Sequence, residues 1–395
     1  RKSCQRTRCS NSDAGVMTAK LVANIGQLVT NSDKDLGIIN NAALVYENGK
    51  VIWTGLNKDA PSADIKIDAK DGTVTPGFVD SHTHAIFAGD RSKDYEARMS
   101  GGSYQSGGIN TTVQATRQAS DEELRENLQK IFSQSRGSGT TTMEIKSGYG
   151  LDVETERRIL SIAKEFTEET TFLGAHVIPK EFTTNRDQYV ELVQGKMLDA
   201  CAPFAKWIDV FCDTGAFSVE EAREILTAGI SRGLKGRIHG NQLGDTGGAE
   251  LAAELSLASV DHCTHISDKG LDALAQSGVV ATLLPGAEFF TKSIYPDVRR
   301  FINAGVTVAL ASDCNPGSSY ISSMPVIMSI AIREMHFTAA QAFYAATMGG
   351  AKALQRSDIG HLNIGASANF VVWDAPSFLH IPYRMGEINR EVFAD

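Results

Sequence analysis

"TPGFVDSHTHAIFAGDR", residues 75–91, decides how this sequence is read. Pro76–Gly77 open an apolar run, Phe78–Val79, that ends at Asp80 and predicts a short buried strand. Alternate residues of a strand share a face, so His82 and His84 point the same way. Two imidazoles on one face can hold one metal ion. The reading then depends on whether the rest of the chain supplies more ligands at corresponding places.

Downstream, strand-like and helix-like stretches alternate, which favours a parallel sheet or barrel. Eight strands are predicted, at 78–84, 141–146, 171–177, 206–211, 236–241, 258–262, 279–284 and 306–312. Between them, "DEELRENLQKIFSQS" (121–135) spaces Leu124, Leu128 and Ile131 as one helix face. "SVEEAREILTAGISRG" (218–233) opens with Ser218 and Glu221, the signature of a capping box. Eight such units match a (β/α)8 TIM-like barrel in count and length. An open doubly wound sheet fits less well, because no GxGxxG follows the first strand.

In a barrel, chemistry gathers where the strands end. His82 and His84 end the first strand, His176 the third, His239 the fifth, His262 the sixth and Asp313 the eighth. Five of the nine histidines thus fall at strand ends; for His265, His336, His361 and His380 an ordinary surface or core position suffices. His82, His84, His239 and Asp313 are the predicted ligand set, three nitrogens and an oxygen with room for water. Such an ion lowers the pKa of its bound water from ~15.7 to near ~7 and polarises a carbonyl.

Flanking the barrel, "KLVANIGQLVT" (20–30), "AALVYENGKVIWTGL" (42–56) and "DIKIDAKDGTVTPGF" (64–78) read as strands. Asn48–Gly49 supply the positive φ angles of a type I′ hairpin turn. The predicted organisation is a disordered segment at 1–16, a composite β-sandwich domain from 17–75 and 357–395, and the barrel at 76–356. Ending at "EINREVFAD" (387–395), that β domain is expected to be one strand short. A net charge of −9 argues against nucleic acid, and no apolar run reaches the ~18 residues of a membrane span. No signal-type stretch follows the basic N-terminus, so the cytoplasm is the expected compartment. Cys4, Cys9, Cys201, Cys212, Cys263 and Cys314 form no CxxC pair and read as reduced, inert thiols.

The HxH pair, the histidines on strands five and six, and the aspartate on strand eight resemble the amidohydrolase superfamily. "HLNIGASANFVVWD" (361–374) is similar to the closing β-sandwich segment of metal-dependent hydrolases. Two-metal members carry a bridging lysine at the end of strand four; "VFCDTGAF" (210–217) has none and Lys146 ends strand two, so one ion is read, zinc or iron, divalent or trivalent. "IFAGDR", "EIKSGYGLD", "AHVIPKEF", "IDVFCD", "LPGAEFF" and "SDCNPGSSY" resemble more narrowly the imidazolonepropionase family, from about Gly26 to Arg384. That resemblance implies hydrolysis of the cyclic amide C–N bond of 4-imidazolone-5-propanoate to N-formimidoyl-L-glutamate in histidine degradation.

On such a substrate Arg91 would take the propanoate carboxylate with its bidentate fork, although alone it reads as a surface arginine. Tyr149 would stack on the ring and His176 would donate to a ring oxygen or carboxylate. Asn315, Gly317 and Ser318 would meet the polar tail. Where many relatives place a proton-shuttling glutamate this chain has Gln242, which can hold the substrate but cannot exchange a proton near neutral pH. Acid–base work then falls to Asp313 and His262, with Gln242 beside them in the catalytic set. Another mononuclear amidohydrolase, a deaminase or cyclic amidase of a small heterocycle, would share the metal site but not the Arg91 and Tyr149 roles. A non-catalytic scaffold of this fold would typically have lost ligands that are all present here. A homodimer is the candidate assembly, with no sequence feature that fixes it.

Overall fold

The computed structural model describes residues 18–32, 35–101 and 108–394. The segment 1–16, with Cys4 and Cys9, lies outside the described residues.

Two sheets organise the chain. The first joins both of its ends. Its strands run in the order Arg390–Phe393, Phe370–Trp373, Thr73–Pro76, Lys20–Val29, Ile38–Glu47 and Lys50–Leu56, with Ile65–Asp68 pairing in parallel to the start of Lys20–Val29. The hairpin forms where the turn residues place it: Ile38–Glu47 pairs antiparallel with Lys50–Leu56, and Asn48 and Gly49 have φ of 50° and 68°. Val22, Ile25, Leu28, Leu44, Val74 and Phe370 form a separate core for this sheet.

The second sheet is curled and wholly parallel. It runs in the order Val308–Leu310, Val280–Leu283, Ser259–His262, Ile238–Gly240, Trp207–Cys212, Thr170–Ala175 and Ile145–Lys146. Phe78–Asp80 pairs in parallel with Thr140–Met143, which precedes Ile145–Lys146 by a single residue, Glu144. Beyond Asp80 the chain continues against the end of the last strand: Thr83 bridges Cys314, Asp313 N donates to His82 O and His84 N donates to Cys314 O. Each of the eight expected strands therefore coincides with observed strand, although formal pairing in the first stops at Asp80.

The connecting helices begin where their caps predict. Ser120 accepts from Glu123 N ahead of Asp121–Gly137, and Leu124, Leu128 and Ile131 are the buried face of that helix. Ser218 and Glu221 form the reciprocal capping box of Val219–Ser231. Cys201, Cys212, Cys263 and Cys314 are buried free thiols. Burial pushes Cys212 up to about 12, which keeps it protonated and unreactive. Among the described residues, no helix is long and apolar enough to cross a membrane.

Candidate active site

The strand ends deliver their side chains to one place. His84, Arg91, Tyr149, His176, His239, Gln242, His262, Asp313, Asn315, Gly317 and Ser318 line a single cavity, together with Ile109, Phe211 and Leu243. His82 lies beneath it, fully buried. Every residue predicted from sequence as a ligand, catalyst or substrate contact is therefore in the cavity or directly under it.

The predicted ligands converge. His84 Nε2 is 3.2 Å from His239 Nε2, and Asp313 Oδ1 is 3.6 Å from both His82 Nε2 and His84 Nε2. His82 Nε2 is buried and has no hydrogen-bond partner among the described residues. Imidazole nitrogens and a carboxylate oxygen turned toward one another, with His82 Nε2 left without such a partner, suit a cation. His262 comes closer than its expected role required: one ligand atom each from His82, His239 and His262 lie within 4.8 Å of one another.

Each inner histidine is fixed from behind. His82 Nδ1 is 2.7 Å from Asp261 Oδ2, and His239 Nδ1 is 3.1 Å from Asp209 Oδ1. With the carboxylates accepting, the protons reside on Nδ1 and the Nε2 lone pairs face inward. Asp261 also pairs with Arg237 (3.0 Å), and Asp209 with Lys146 Nζ (2.9 Å), which is itself 3.0 Å from Glu144 Oε1. All five of these charged side chains are buried. Although burial pushes Asp209 up, His239 and Lys146 hold it well below the usual carboxylate range. Asp261 likewise stays lowered, against its burial, by Arg237 and Lys146. Burial holds His82, His84 and His262 well below the ordinary imidazole value, and His176 down at about 4. Neutral imidazoles are the ligand form. Burial drives Asp313 the opposite way, well above its ordinary value.

Sequence reading passed over Glu144, Asp209, Arg237 and Asp261, and set Lys146 aside. A signal was available: a charge inside an apolar strand, as in "WIDVF" (207–211) and "ASVDH" (258–262), needs a buried partner. Backbone strain marks the same spot. His262 has φ of 83° and Asp313 of 49°, left-handed values that non-glycine residues avoid.

The outer wall is built differently. Arg91 is buried and its Nε donates to Asp94, leaving the two terminal nitrogens toward Thr112, Gly108 and Gly317. A Cβ at residue 317 would stand 3.0 Å from Arg91 Nη1, a close contact that the glycine avoids. Asn315 Oδ1 accepts from Gly317 N and Ser318 N at 2.8 and 2.7 Å, which makes 315–318 a compact turn. Asp213 Oδ2 accepts from Gln242 N (2.7 Å) and Leu243 N (2.9 Å) and so anchors the loop that carries Gln242. Tyr149 packs 6.0 Å from His84 and 5.4 Å from His176, ring centre to ring centre.

The sequence profile of the amidohydrolase family matches residues 73–394. The chain belongs to the amidohydrolase family. Within it, the chain is 55% identical over 374 residues to the imidazolonepropionase of Mycolicibacterium smegmatis, with 94% of each chain covered. It is 56% identical to that of Salinispora arenicola, over 94% of this chain and 96% of the relative. Among solved structures, the fold is shared with 5-methylcytosine deaminase from Klebsiella pneumoniae at a TM-score of 0.73 and 17% identity, covering 95% of this chain and 99% of that one. Guanine deaminase from C. acetobutylicum is similar at a TM-score of 0.72 and 16% identity, covering 95% and 98%. The curled parallel sheet with its surrounding helices is the fold of this amidohydrolase.

Proposed function

We propose that this chain is an imidazolonepropionase, which opens 4-imidazolone-5-propanoate with water to give N-formimidoyl-L-glutamate. One observation carries the reading beyond the family likeness. A buried cation, Arg91, shares a cavity with three metal-ligand candidates, His84, His239 and Asp313, so a small anionic heterocycle can be held by one end and hydrolysed at the other.

His82, His84, His239 and Asp313 would hold one ion, zinc or iron. When bound, the ion supplies Lewis-acid polarisation of the ring carbonyl and acidifies water. The chain's own residues do the rest. Arg91 takes the propanoate carboxylate, and Asn315, Gly317 and Ser318 meet the polar tail. Tyr149 lies against the flat ring, and His176, whose one proton is held on Nδ1 by Gly148 O, accepts from a ring N–H through Nε2 instead of donating to a ring oxygen. Gln242 holds a substrate heteroatom through its amide, positioning without proton exchange. Water's oxygen bonds to the carbonyl carbon, the C–N bond breaks and the leaving nitrogen gains a proton. Asp313 and His262 share that transfer, one accepting the proton of the attacking water and the other protonating the nitrogen.

We read the architecture as an eight-stranded barrel at 76–356 with a composite β-sandwich domain at 17–75 and 357–395. The Thr83–Cys314 bridge between first and last strands supports the former, and the separate core of the seven-stranded sheet the latter. A cytoplasmic homodimer is the expected form in the cell. The test is direct: purified protein should bleach the ring chromophore of 4-imidazolone-5-propanoate in proportion to its bound metal. No loss of chromophore from metal-loaded protein would end this reading.

A further inference from the structure

The cavity wall that carries Tyr149 is a tight loop, and the group that holds it lies outside the cavity. Gly148 has φ of +109° and Leu151 of 55°, so the loop "SGYGL" (147–151) turns through left-handed conformations on both sides of Tyr149. Such a turn aims consecutive backbone N–H groups at one point, and left-handed residues cost about 1–3 kcal/mol unless the surroundings hold them. The point is occupied by the carboxylate of Glu156, which is fully buried. Glu156 Oε1 accepts from Gly150 N (2.7 Å) and Leu151 N (2.8 Å), and Oε2 accepts from Gly148 N (3.0 Å).

The seat is built on every side. Glu156 sits in the first turn of the helix Val153–Ala163, where the helix dipole favours a negative charge, and Asp152 caps that helix through Thr155 N at 2.8 Å. A side chain at residue 150 is excluded, since its Cβ would lie 2.7 Å from Glu156 N. On the cavity side, the carbonyl of the same Gly148 accepts from His176 Nδ1 at 2.9 Å. One buried carboxylate therefore fixes, through a single loop, the ring of Tyr149 and the orientation of His176.

We propose that Glu156 is a positioning residue for substrate binding: by gathering the N–H groups of Gly148, Gly150 and Leu151 it sets Tyr149 and His176 against the substrate ring. This rests on the reading that those two residues face the substrate. Glu156 itself touches neither substrate nor metal ligand. A plain loop staple would affect folding alone, whereas a positioning residue affects KM in the folded enzyme.

The experiment uses the metal-loaded enzyme and 4-imidazolone-5-propanoate. Glu156→Gln keeps the size of the side chain but turns one acceptor into an NH₂ group that opposes the backbone donors. KM should rise about 10-fold, with kcat within about 3-fold and metal content unchanged, as expected for a misplaced contact remote from the reacting bond. In a Tyr149→Ala background, Glu156→Gln should add clearly less than the about 10-fold it causes alone, because only its hold on His176 through Gly148 remains. Unchanged KM in folded Glu156→Gln, or multiplicative effects in the double variant, would overturn the proposal. If Glu156→Gln does not fold, Glu156→Asp, which keeps the carboxylate but draws it back from the loop by one methylene, is judged by the same criteria. Failure of the underlying reading would show separately, as a parent enzyme without turnover or a Tyr149→Ala enzyme with parental KM.

Discussion

The floor and the rim of this cavity are held in place by different chemistry. On the floor, side chains fix side chains: Asp261 backs His82, Asp209 backs His239, and Arg237, Lys146 and Glu144 lock those carboxylates in turn. Around the rim, side chains fix backbone: Glu156 holds the Tyr149 loop and Asp213 the Gln242 loop, each through consecutive N–H groups. A strand-borne lattice of charges tolerates little displacement, because each member left alone is a buried unpaired charge, costing ~3–5 kcal/mol. A loop held by its backbone leaves its outward side chain free to differ. The fold itself is shared with deaminase structures at 16–17% identity, so the fold does not select the substrate. Under the proposed function, the floor sets the class of reaction and the rim selects what is hydrolysed.

That division can be broken at the floor first. His82→Ala removes a proposed ligand from a site with few to spare, so metal content and turnover should both vanish. Stoichiometric metal and full activity in elemental analysis and assay of the variant would place the site elsewhere. His262→Asn should cost ~10²–10⁴-fold in kcat, the usual contribution of a proton-transfer group, with metal content near normal. This variant is the sharpest one on the floor, because His262 lies within reach of the ligand atoms. Loss of metal would make His262 a ligand, and near-parental kcat would leave Asp313 as the sole proton carrier. Asp209→Asn keeps the shape but removes the negative charge behind His239 Nδ1 and leaves Lys146 with Glu144 as its one carboxylate partner among the described residues. Metal affinity, read by chelator competition, should fall ~10–100-fold, and an unchanged affinity would deny the lattice its role.

The rim should respond in KM. Arg91→Lys keeps the charge and loses the fork, so substrate use should worsen through KM while metal content holds. A parental KM in Arg91→Ala would separate Arg91 from the carboxylate. The smallest expected effect concerns Glu288, a buried acid whose Oε1 accepts from Thr264 Oγ1 at 2.6 Å. Burial raises Glu288 to about 7 from the 4.5 of a free glutamate. A raised folded value means stability that is fully present below the unfolded pKa and is lost as pH rises through about 7. Glu288→Gln in metal-stripped protein should therefore match the parent in Tm at about pH 5 and exceed it at about pH 8. Parallel Tm curves would remove the assigned shift.

The same contrast explains what the sequence made legible. The eight strands were readable because buried parallel strands are short apolar runs between helices with clear caps, as at Ser218 and Glu221. The candidate ligands could be placed in the same way, since His82, His239 and Asp313 sit where such runs end. Asp209 and Asp261 were in view in those runs but were not paired, because their partners lie on other strands and only the curled sheet brings them together. Lys146 was set aside for ending the wrong strand, yet that position places its ammonium against Asp209 on the fourth. Glu156 and Asp213 left no trace in any spacing pattern, since what they recognise is backbone conformation, which no residue type encodes by itself.

Turnover of 4-imidazolone-5-propanoate in oxygen-18-labelled water tests the central claim most directly, with product mass, released ammonia and bound metal measured on the same sample. Ring opening by water predicts N-formimidoyl-L-glutamate carrying one labelled oxygen in its new carboxylate, no ammonia, and a rate proportional to metal content. Ammonia released in step with substrate loss, or substrate left intact by metal-loaded protein, would contradict it.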